Sequence, residues 1–432
     1  MDNVKVVLIS QGCDKNRVDS EVMLGALAAG GYVFVADLDL ADVIIINTCG
    51  FLKEAVGEAR EAIDEAVKAK RHGSCRAIIV TGCAAQRYKQ EITDDYPEID
   101  AVLGVNEYDR LKDFFAGLDW SEGRVLSTPS HYAYLKIAEG CDKTCTYCTI
   151  PKIRGPYKSR EIDSLIAEAS VLVKSGVKEL ILVAQDTTLY GVDIYGKPML
   201  DELLRQLSKI ENLNWLRLLY CYPEHIYPQL VAEISKNPKV LPYIDMPIQH
   251  ASDAILRLMG RKSNQAQLRE IIADLRRAVP GITLRTTLIT GFPSETKADF
   301  MAVCDFIKEI GFDRLGVFAY SAEEGTPAAS LPGHLSDKTK EARKKRLMLL
   351  QQDISTDKLA KKVGEIIDVL VEGFDSEINK MYYGRSEADA PEMDGMVFID
   401  NKKALQIGTF VKVRIIQSTE YDLLGVLYES TK

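Results

Sequence analysis

The sequence predicts an α/β chain of three domains, and three observations lead to that fold class. Short runs of valine and isoleucine alternate with helical segments over the first 120 residues. A second series of strands, each followed by a helix, extends from 134 to 319, and after 363 the pattern contains strands only. We therefore expect a doubly wound α/β domain at 1–120, a partial (β/α)6 barrel at 127–358, and a small antiparallel β-barrel similar to the OB fold at 360–432.

The N-terminal domain is predicted from its apolar runs. Three short segments rich in valine and isoleucine are typical of buried parallel strands, at 4–10, 42–48 and 76–81. The segments 18–29 and 53–70 between them have the composition of helices. Parallel strands joined through helices predict a sheet with helices on both faces.

Three cysteines of this domain follow its strands directly. Cys13, Cys49 and Cys83 each stand in a glycine-containing turn beyond the carboxyl end of a predicted strand. Ligands bind at that edge of an open α/β sheet, so three loops far apart in the sequence can converge there. The alternative is that they are ordinary small buried residues, which would be expected inside the strands. Cys75 precedes its strand, and we interpret it as non-ligating.

The central region predicts six strands, each connected to the next through a helix. They lie at 134–138, 179–184, 215–220, 241–246, 282–289 and 314–319. Six such units form a partial barrel rather than a closed eightfold one. Active sites in barrels of this kind lie at the carboxyl ends of the strands.

A CxxxCxxC loop follows the first of these six strands. It contains Cys141, Cys145 and Cys148, with the aromatic residue Tyr147 before the last cysteine. Thiolates suit iron–sulfur clusters or zinc. A structural zinc site needs four ligands, and no cysteine or histidine occurs within ten residues after Cys148. Three cysteines on a four-iron cluster would leave one iron open to an exchangeable ligand. A zinc site completed from elsewhere in the chain, or an incidental cysteine-rich loop, stays open as the alternative.

This loop and its aromatic residue resemble the signature of the radical S-adenosylmethionine (SAM) enzymes. The resemblance implies that its three cysteines hold a 4Fe-4S cluster whose open iron binds SAM. The segments QGCDKN, NTC and TGC, which contain Cys13, Cys49 and Cys83, resemble in the same order the N-terminal domain of the methylthiotransferases. That likeness implies a second 4Fe-4S cluster on these three cysteines, again with an open iron.

Residues at the ends of other strands are candidates for holding SAM, as the resemblance implies. We expect Tyr147, Gln185 and Gly291 to be cofactor-binding residues, Gly291 because glycine permits close approach of the backbone to a ligand. His250 is interpreted as a hydrogen-bonded structural residue rather than a ligand. Glu295 stands one place later than the acidic residue of the family's fifth-strand motif. No catalytic side chain is assigned from the sequence.

The amino-acid composition limits the possible locations and partners of the protein. Hydrophobic residues make up 46% and charged residues 27%, which is typical of a globular protein. Apolar runs such as 43–46 are too short to span a membrane. The N-terminus predicts no secretory signal, so we expect a cytoplasmic protein with no membrane partner and with reduced cysteines.

Charge helps to predict the substrate. The chain has a formal net charge of −9, and residues 363–432 contain seven Lys or Arg against thirteen Asp or Glu, a charge of −6. A barrel that grips tRNA is expected to be basic, because phosphate contacts dominate nucleic-acid affinity. An acidic barrel instead suits a basic protein surface.

Two stretches resemble the RimO branch of the methylthiotransferases, which modifies a ribosomal protein. They are QGCDKNRVDSE near the N-terminus and residues 384–395 in the C-terminal barrel, which in position resembles the family's TRAM domain. The resemblance implies methylthiolation of the β-carbon of an aspartate in protein twelve of the small ribosomal subunit. Two SAM molecules, an electron donor and a sulfur donor are implied, and we expect the basic ribosomal protein to dock on the acidic barrel. A tRNA adenosine is the alternative substrate, and a non-catalytic iron–sulfur carrier is the alternative class.

Overall fold

The chain divides into two units. The computed structural model describes residues 4–105, 107–120, 123–377, 380–401 and 403–429. The first unit comprises Met1–Thr128, Ala138–Lys158 and Ser321–Ala329, and the second comprises Pro129–Ile137, Ser159–Tyr320 and Ser330–Lys432. Among the described residues, no helix combines the length and the apolar character that crossing a membrane requires.

The first unit is built on a parallel sheet. Its strands are β1 Lys5–Ser10, β2 Val33–Phe34, β3 Val43–Thr48, β4 Ala77–Gly82 and β5 Ala101–Leu103. Its helices are α1 Asp14–Ala29, α2 Lys53–His72, α3 Cys83–Arg87, α4 Lys89–Asp95 and α5 Ile150–Arg154, with 3-10 turns at Leu38–Leu40 and Tyr108–Asp113. The strand order is β2-β1-β3-β4-β5, and every pairing is parallel. The predicted doubly wound domain is confirmed.

Helices cover this sheet on both faces because successive strand residues point to opposite sides. Ile44 of β3 packs with Ile63 of α2 in one core, whereas the adjacent Ile45 packs with Met23 and Leu27 of α1 in the other. All five side chains are fully buried. Each contributes about 1.5–3 kcal/mol by leaving water.

The strand order determines where loops can converge. In the sheet, β2 lies on one side of β1 and β3 lies on the other. The direction in which successive strands are added therefore reverses between β1 and β3. Loops at the carboxyl ends of the strands separate at such a reversal and leave a crevice. Cys13 follows β1 and Cys49 follows β3, so these two cysteines flank the crevice.

The second unit contains a six-stranded parallel sheet. Its strands are β6 Tyr132–Lys136, β7 Glu179–Val183, β8 Trp215–Leu218, β9 Val240–Asp245, β10 Thr283–Thr290 and β11 Arg314–Ala319. Its helices are α6 Ile162–Lys174, α7 Val192–Tyr195, α8 Leu200–Leu207, α9 Pro228–Lys236, α10 Asp253–Leu258, α11 Gln265–Ala278, α12 Lys297–Ile310 and α13 Asp337–Ala360. The strands lie side by side in sequence order, as a partial (β/α)6 barrel requires. Helix α13 packs along the edge strand β11.

The C-terminal barrel closes with the strands β12 Ile366–Asp375, β13 Met381–Arg385, β14 Val397–Asp400, β15 Phe410–Ser418 and β16 Leu423–Leu427. Buried valines such as Val369, Val397 and Val413 fill its interior. One pairing differs from the antiparallel pattern expected from the sequence, because β14 and β16 run parallel. In sequence β15 follows β14, but β15 pairs with β12 and β16, so β14 meets β16 instead of its immediate successor.

A buried ion-pair network joins this barrel to the six-stranded sheet. Glu179 at the start of β7 is fully buried; its Oε1 accepts from Arg217 Nε at 2.6 Å and its Oε2 from Arg385 Nη2 at 2.6 Å. Arg385 also donates to Glu372 at 2.8 Å, and Glu372 lies 3.0 Å from His131 Nε2. Burial alone would raise the pKa of Glu179, but the two guanidinium groups outweigh it and hold that pKa below its usual value.

Candidate iron–sulfur and SAM site

Backbone turns place the N-terminal cysteines at the carboxyl edge of the first sheet. Cys13 is the residue that precedes α1, and Cys83 is the first residue of α3. Gly12 has a φ of +92°, and a Cβ at this position would lie 2.8 Å from Cys49 Cβ and 2.9 Å from Cys49 Sγ. Only glycine lets the loop before Cys13 approach the Cys49 side chain so closely.

The three N-terminal cysteines act on one another electrostatically. Burial raises the pKa of the Cys49 thiol, and Cys13 raises it further. Burial also raises the pKa of Cys83 to about 11, and both other cysteines add to the increase. Cys13 is exposed, Cys49 is half-buried and Cys83 is buried. The structure therefore brings Cys13, Cys49 and Cys83, here called the N-terminal triad, together in one partly open site.

The loop between Ala138–Glu139 and α5 brings together Cys141, Cys145 and Cys148, here called the loop triad. The Cys141 amide donates to the Gly155 carbonyl at 3.0 Å, and the Cys148 amide to the Cys145 carbonyl at 3.1 Å. Burial raises the pKa of Cys148 to about 12, and Cys145 and Cys141 add to it. Both triads belong to the first unit.

Both triads offer soft sulfur donors of the kind that iron–sulfur clusters use. Among the residues that the structure describes, no group of three or more His, Cys, Asp or Glu side chains is arranged around one ion. A cubane cluster places each cysteine on a different iron, so its ligands stand apart by the size of the cluster. Three soft thiolates are the donor set that such a cluster requires. The raised pKa values of Cys49, Cys83 and Cys148 mean that these thiols must lose protons as metal binds.

The predicted SAM contacts lie in both units. Tyr147 lies in the loop triad, whereas Gln185 and Gly291 follow β7 and β10 at their carboxyl ends. Gly291 has a φ of +75°, and a Cβ there would lie 2.5 Å from Lys340 Cγ of α13. Packing against α13 thus accounts for the glycine without a ligand. A role in binding SAM stays a prediction for all three residues.

Two polar residues near the strand ends have structural partners. His250 is buried, and its Nδ1 accepts from the Ser252 amide at 2.9 Å. Glu295 is also buried and accepts from the amides of Gly291 and Phe292 at 2.5 and 3.1 Å. Glu295 therefore holds the turn that follows β10, a role that its offset from the family's motif did not reveal.

Cys75 lies apart from both triads in its interactions. It packs in the core between the sheet and α2, and its thiol donates to the Ala77 carbonyl at 3.3 Å. This environment agrees with its interpretation as a non-ligating cysteine.

Sequence reasoning missed Arg154, and it did not reveal the partners of Asp186, one of the polar residues expected after the second barrel strand. Arg154 ends α5, and its side chain contacts the N-terminal triad. Asp186 follows β7, is fully buried, and accepts from the Thr188 amide at 3.0 Å, while its second oxygen lies 2.9 Å from His225 Nδ1. Neither residue belongs to a motif with a recognisable spacing, so only the fold reveals these contacts.

Three family models match successive parts of the chain. Residues 5–104 match the uncharacterized protein family UPF0004, residues 135–307 match the radical SAM superfamily, and residues 363–427 match the TRAM domain. Among solved structures, the radical SAM methyltransferase TsrM from Kitasatospora setae has a TM-score of 0.55 and 16% identity, covering 73% of each chain. That likeness concerns the fold alone.

Curated relatives match over the full length. The Clostridium kluyveri protein named ribosomal protein uS12 methylthiotransferase RimO is 49% identical over 448 residues, covering 100% of both chains. The protein of the same name from Clostridium acetobutylicum is 46% identical over 444 residues, covering 99% of each. Because both relatives align from end to end, all three regions of the chain are shared with them. The chain therefore belongs to the RimO family of methylthiotransferases, transferases of the radical SAM type, whose chemistry implies a 4Fe-4S cluster and SAM.

Proposed function

We propose that the chain methylthiolates the β-carbon of an aspartate in ribosomal protein uS12, with one 4Fe-4S cluster on each triad. The observation that carries this proposal is that two separate sets of three cysteines, the N-terminal triad and the loop triad, lie in one unit. The names of the full-length relatives support the substrate.

The bound groups supply the reactive chemistry, and the protein positions them. When bound, the two clusters and two SAM molecules supply hydrogen abstraction from an unactivated carbon, a sulfur atom and a methyl group. The chain's residues hold, orient and shield these groups. Cys141 and Cys145 are buried, which keeps water from the loop triad. The hydrogen bond from the Cys141 amide to the Gly155 carbonyl fixes the start of that loop. Tyr147, Gln185 and Gly291 are the residues proposed to hold SAM.

The surface charge of the C-terminal barrel supports a basic protein as the substrate. Some of its carboxylates contact residues of the six-stranded sheet instead of solvent. Asp389 pairs with Arg314, and Asp394 accepts a hydrogen bond from Tyr243 at 2.7 Å. Among the described residues of 363–432, eight acidic and four basic side chains stay exposed. The exposed surface is therefore still acidic, which favours a basic protein over a polyphosphate.

The test is a direct mass measurement. The enzyme, reconstituted anaerobically, is incubated with SAM and reductant and with either uS12 or unmodified tRNA. We expect one aspartate of uS12 to exchange a hydrogen for a methylthio group and the tRNA nucleosides to stay unchanged. Cys141→Ala should abolish the product, whereas Cys75→Ala should retain it. A methylthio group on tRNA adenosine, with none on uS12, would overturn the proposed substrate.

A further inference from the structure

Arg154 connects the loop-triad segment to the N-terminal triad. It is the last residue of α5, six positions after Cys148, and its side chain is 1% exposed. A guanidinium group is seldom buried to this extent unless its donors are paired. The partners of Arg154 therefore indicate what its burial is for.

Each terminal nitrogen of Arg154 donates to two partners. Nη1 donates to Asp19 Oδ2 at 3.0 Å and to Glu139 Oε2 at 2.7 Å. Nη2 donates to Asn16 Oδ1 at 3.1 Å and to Cys83 Sγ at 3.4 Å. Asn16 and Asp19 lie on α1 just after Cys13, whereas Glu139 precedes the loop triad. One planar group thus touches a cysteine of the N-terminal triad, the helix behind Cys13 and the strand that leads into the loop triad.

The charge of Arg154 is permanent at this site. An arginine guanidinium keeps its proton in proteins, and here it pairs with the carboxylates of Asp19 and Glu139 at 3.0 and 2.7 Å. Those carboxylates also fix the plane of the guanidinium group, because a paired fork has little rotational freedom. The donor aimed at Cys83 is therefore held in place before any metal binds.

A fixed cationic donor on a ligating sulfur has a known physical effect. Hydrogen bonds to cluster sulfurs, together with nearby positive charge, stabilise the more negative, reduced state and raise the reduction potential. Arg154 is placed to raise the reduction potential of a metal cluster that Cys83 ligates.

We propose that Arg154 is a positioning residue that sets the reduction potential of the cluster on the N-terminal triad and holds this triad in register with the loop triad. This inference rests on the proposed function, since it requires a cluster on Cys13, Cys49 and Cys83.

The test isolates the N-terminal cluster. In a background with Cys141→Ala, Cys145→Ala and Cys148→Ala, the iron content and the midpoint potential are measured with Arg154, with Arg154→Lys and with Arg154→Gln. The potential is followed by electron paramagnetic resonance during a redox titration. Arg76→Gln is the control, because Arg76 is an exposed arginine of the same unit. The same substitutions in the full-cysteine chain provide a second set in case the background variant folds poorly.

We expect the Arg154→Gln variant to retain iron and to show a more negative midpoint potential. The midpoint potential of Arg154→Lys, which keeps the positive charge but not the forked guanidinium group, should lie between those of Arg154→Gln and the parent. Arg76→Gln should have the same midpoint potential as the parent. An unchanged potential in Arg154→Gln would overturn the inference. So would equal loss of iron and of folded structure in both Arg154 variants. If the background chain binds no iron even with Arg154 present, the proposed second cluster fails instead.

Discussion

Gly12→Ala tests whether the approach of the Cys13 loop to Cys49 builds the N-terminal triad. The substitution places a methyl group 2.8 Å from Cys49 Cβ and 2.9 Å from its Sγ. Favourable contacts between carbon atoms lie at about 3.5–4.0 Å, so the groups must separate by roughly 0.6–1.2 Å. Overpacking of this kind costs about 1–3 kcal/mol. The positive φ of Gly12 adds about 1–2 kcal/mol for a residue with a Cβ.

Gly31→Ala is the matched control. Gly31 belongs to the same unit and has a φ of +81°, but a Cβ there would have no atom within 4 Å. It therefore incurs the backbone strain without the clash. We expect Gly31→Ala to be destabilised by about 1–2 kcal/mol and Gly12→Ala by about 2–5 kcal/mol.

Iron content separates the functional effect from stability. After anaerobic reconstitution, Gly31→Ala should bind about eight irons per chain, like the parent, and Gly12→Ala about four, since the loop triad is untouched. Unfolding in guanidinium chloride gives the stabilities. A Gly12→Ala variant that keeps about eight irons, and is no less stable than Gly31→Ala, would refute the reasoning.

Further predictions concern the buried network and the remaining cysteine. Glu179→Ala should lower the free energy of unfolding by about 3–5 kcal/mol, because it removes the carboxylate that pairs with the buried Arg217 and leaves Arg385 with Glu372 alone. Asp368→Ala, at an exposed pair, should cost about 0–1 kcal/mol, and equal effects would contradict the network's role. Because the folded-state pKa of Glu179 is lowered, its charge stabilises the fold fully above about pH 4.3 and less as the pH falls through that lower pKa. The stability gap between parent and Glu179→Gln should therefore narrow below about pH 4.3, and a gap that widens there would contradict the assignment. Cys75→Ser should leave the iron content unchanged, and a loss of iron would make Cys75 a ligand.

The fold could be predicted because its signals are local. Apolar runs and their spacing determined the two parallel sheets, and the position of each cysteine after a strand predicted where it would lie. The parallel pairing of β14 with β16 could not be read this way, because a strand's own pattern does not say which neighbour it meets.

The contacts that tune the site depend on partners distant in the sequence. Arg154 lies in a segment that looks like an ordinary basic turn, and its role appears only when Asp19 and Cys83 come within reach. The role of Gly291 in binding SAM stays a prediction, and its contact with Lys340 is not visible from the sequence. Similarly, the acidic count of the C-terminal barrel includes Asp389, which pairs with an arginine of the sheet. Each case needs a side-chain neighbour that periodicity does not encode.

The central claim is that two separate thiolate triads each hold a four-iron cluster. Its most direct test is iron analysis with Mössbauer spectroscopy on three proteins: the parent, the variant with Cys13, Cys49 and Cys83 changed to alanine, and the variant with Cys141, Cys145 and Cys148 changed to alanine. We predict about eight irons in the parent and about four in each variant, with SAM altering the spectrum only where the loop triad is intact. About four irons in the parent, unchanged when the N-terminal triad is removed, would contradict it.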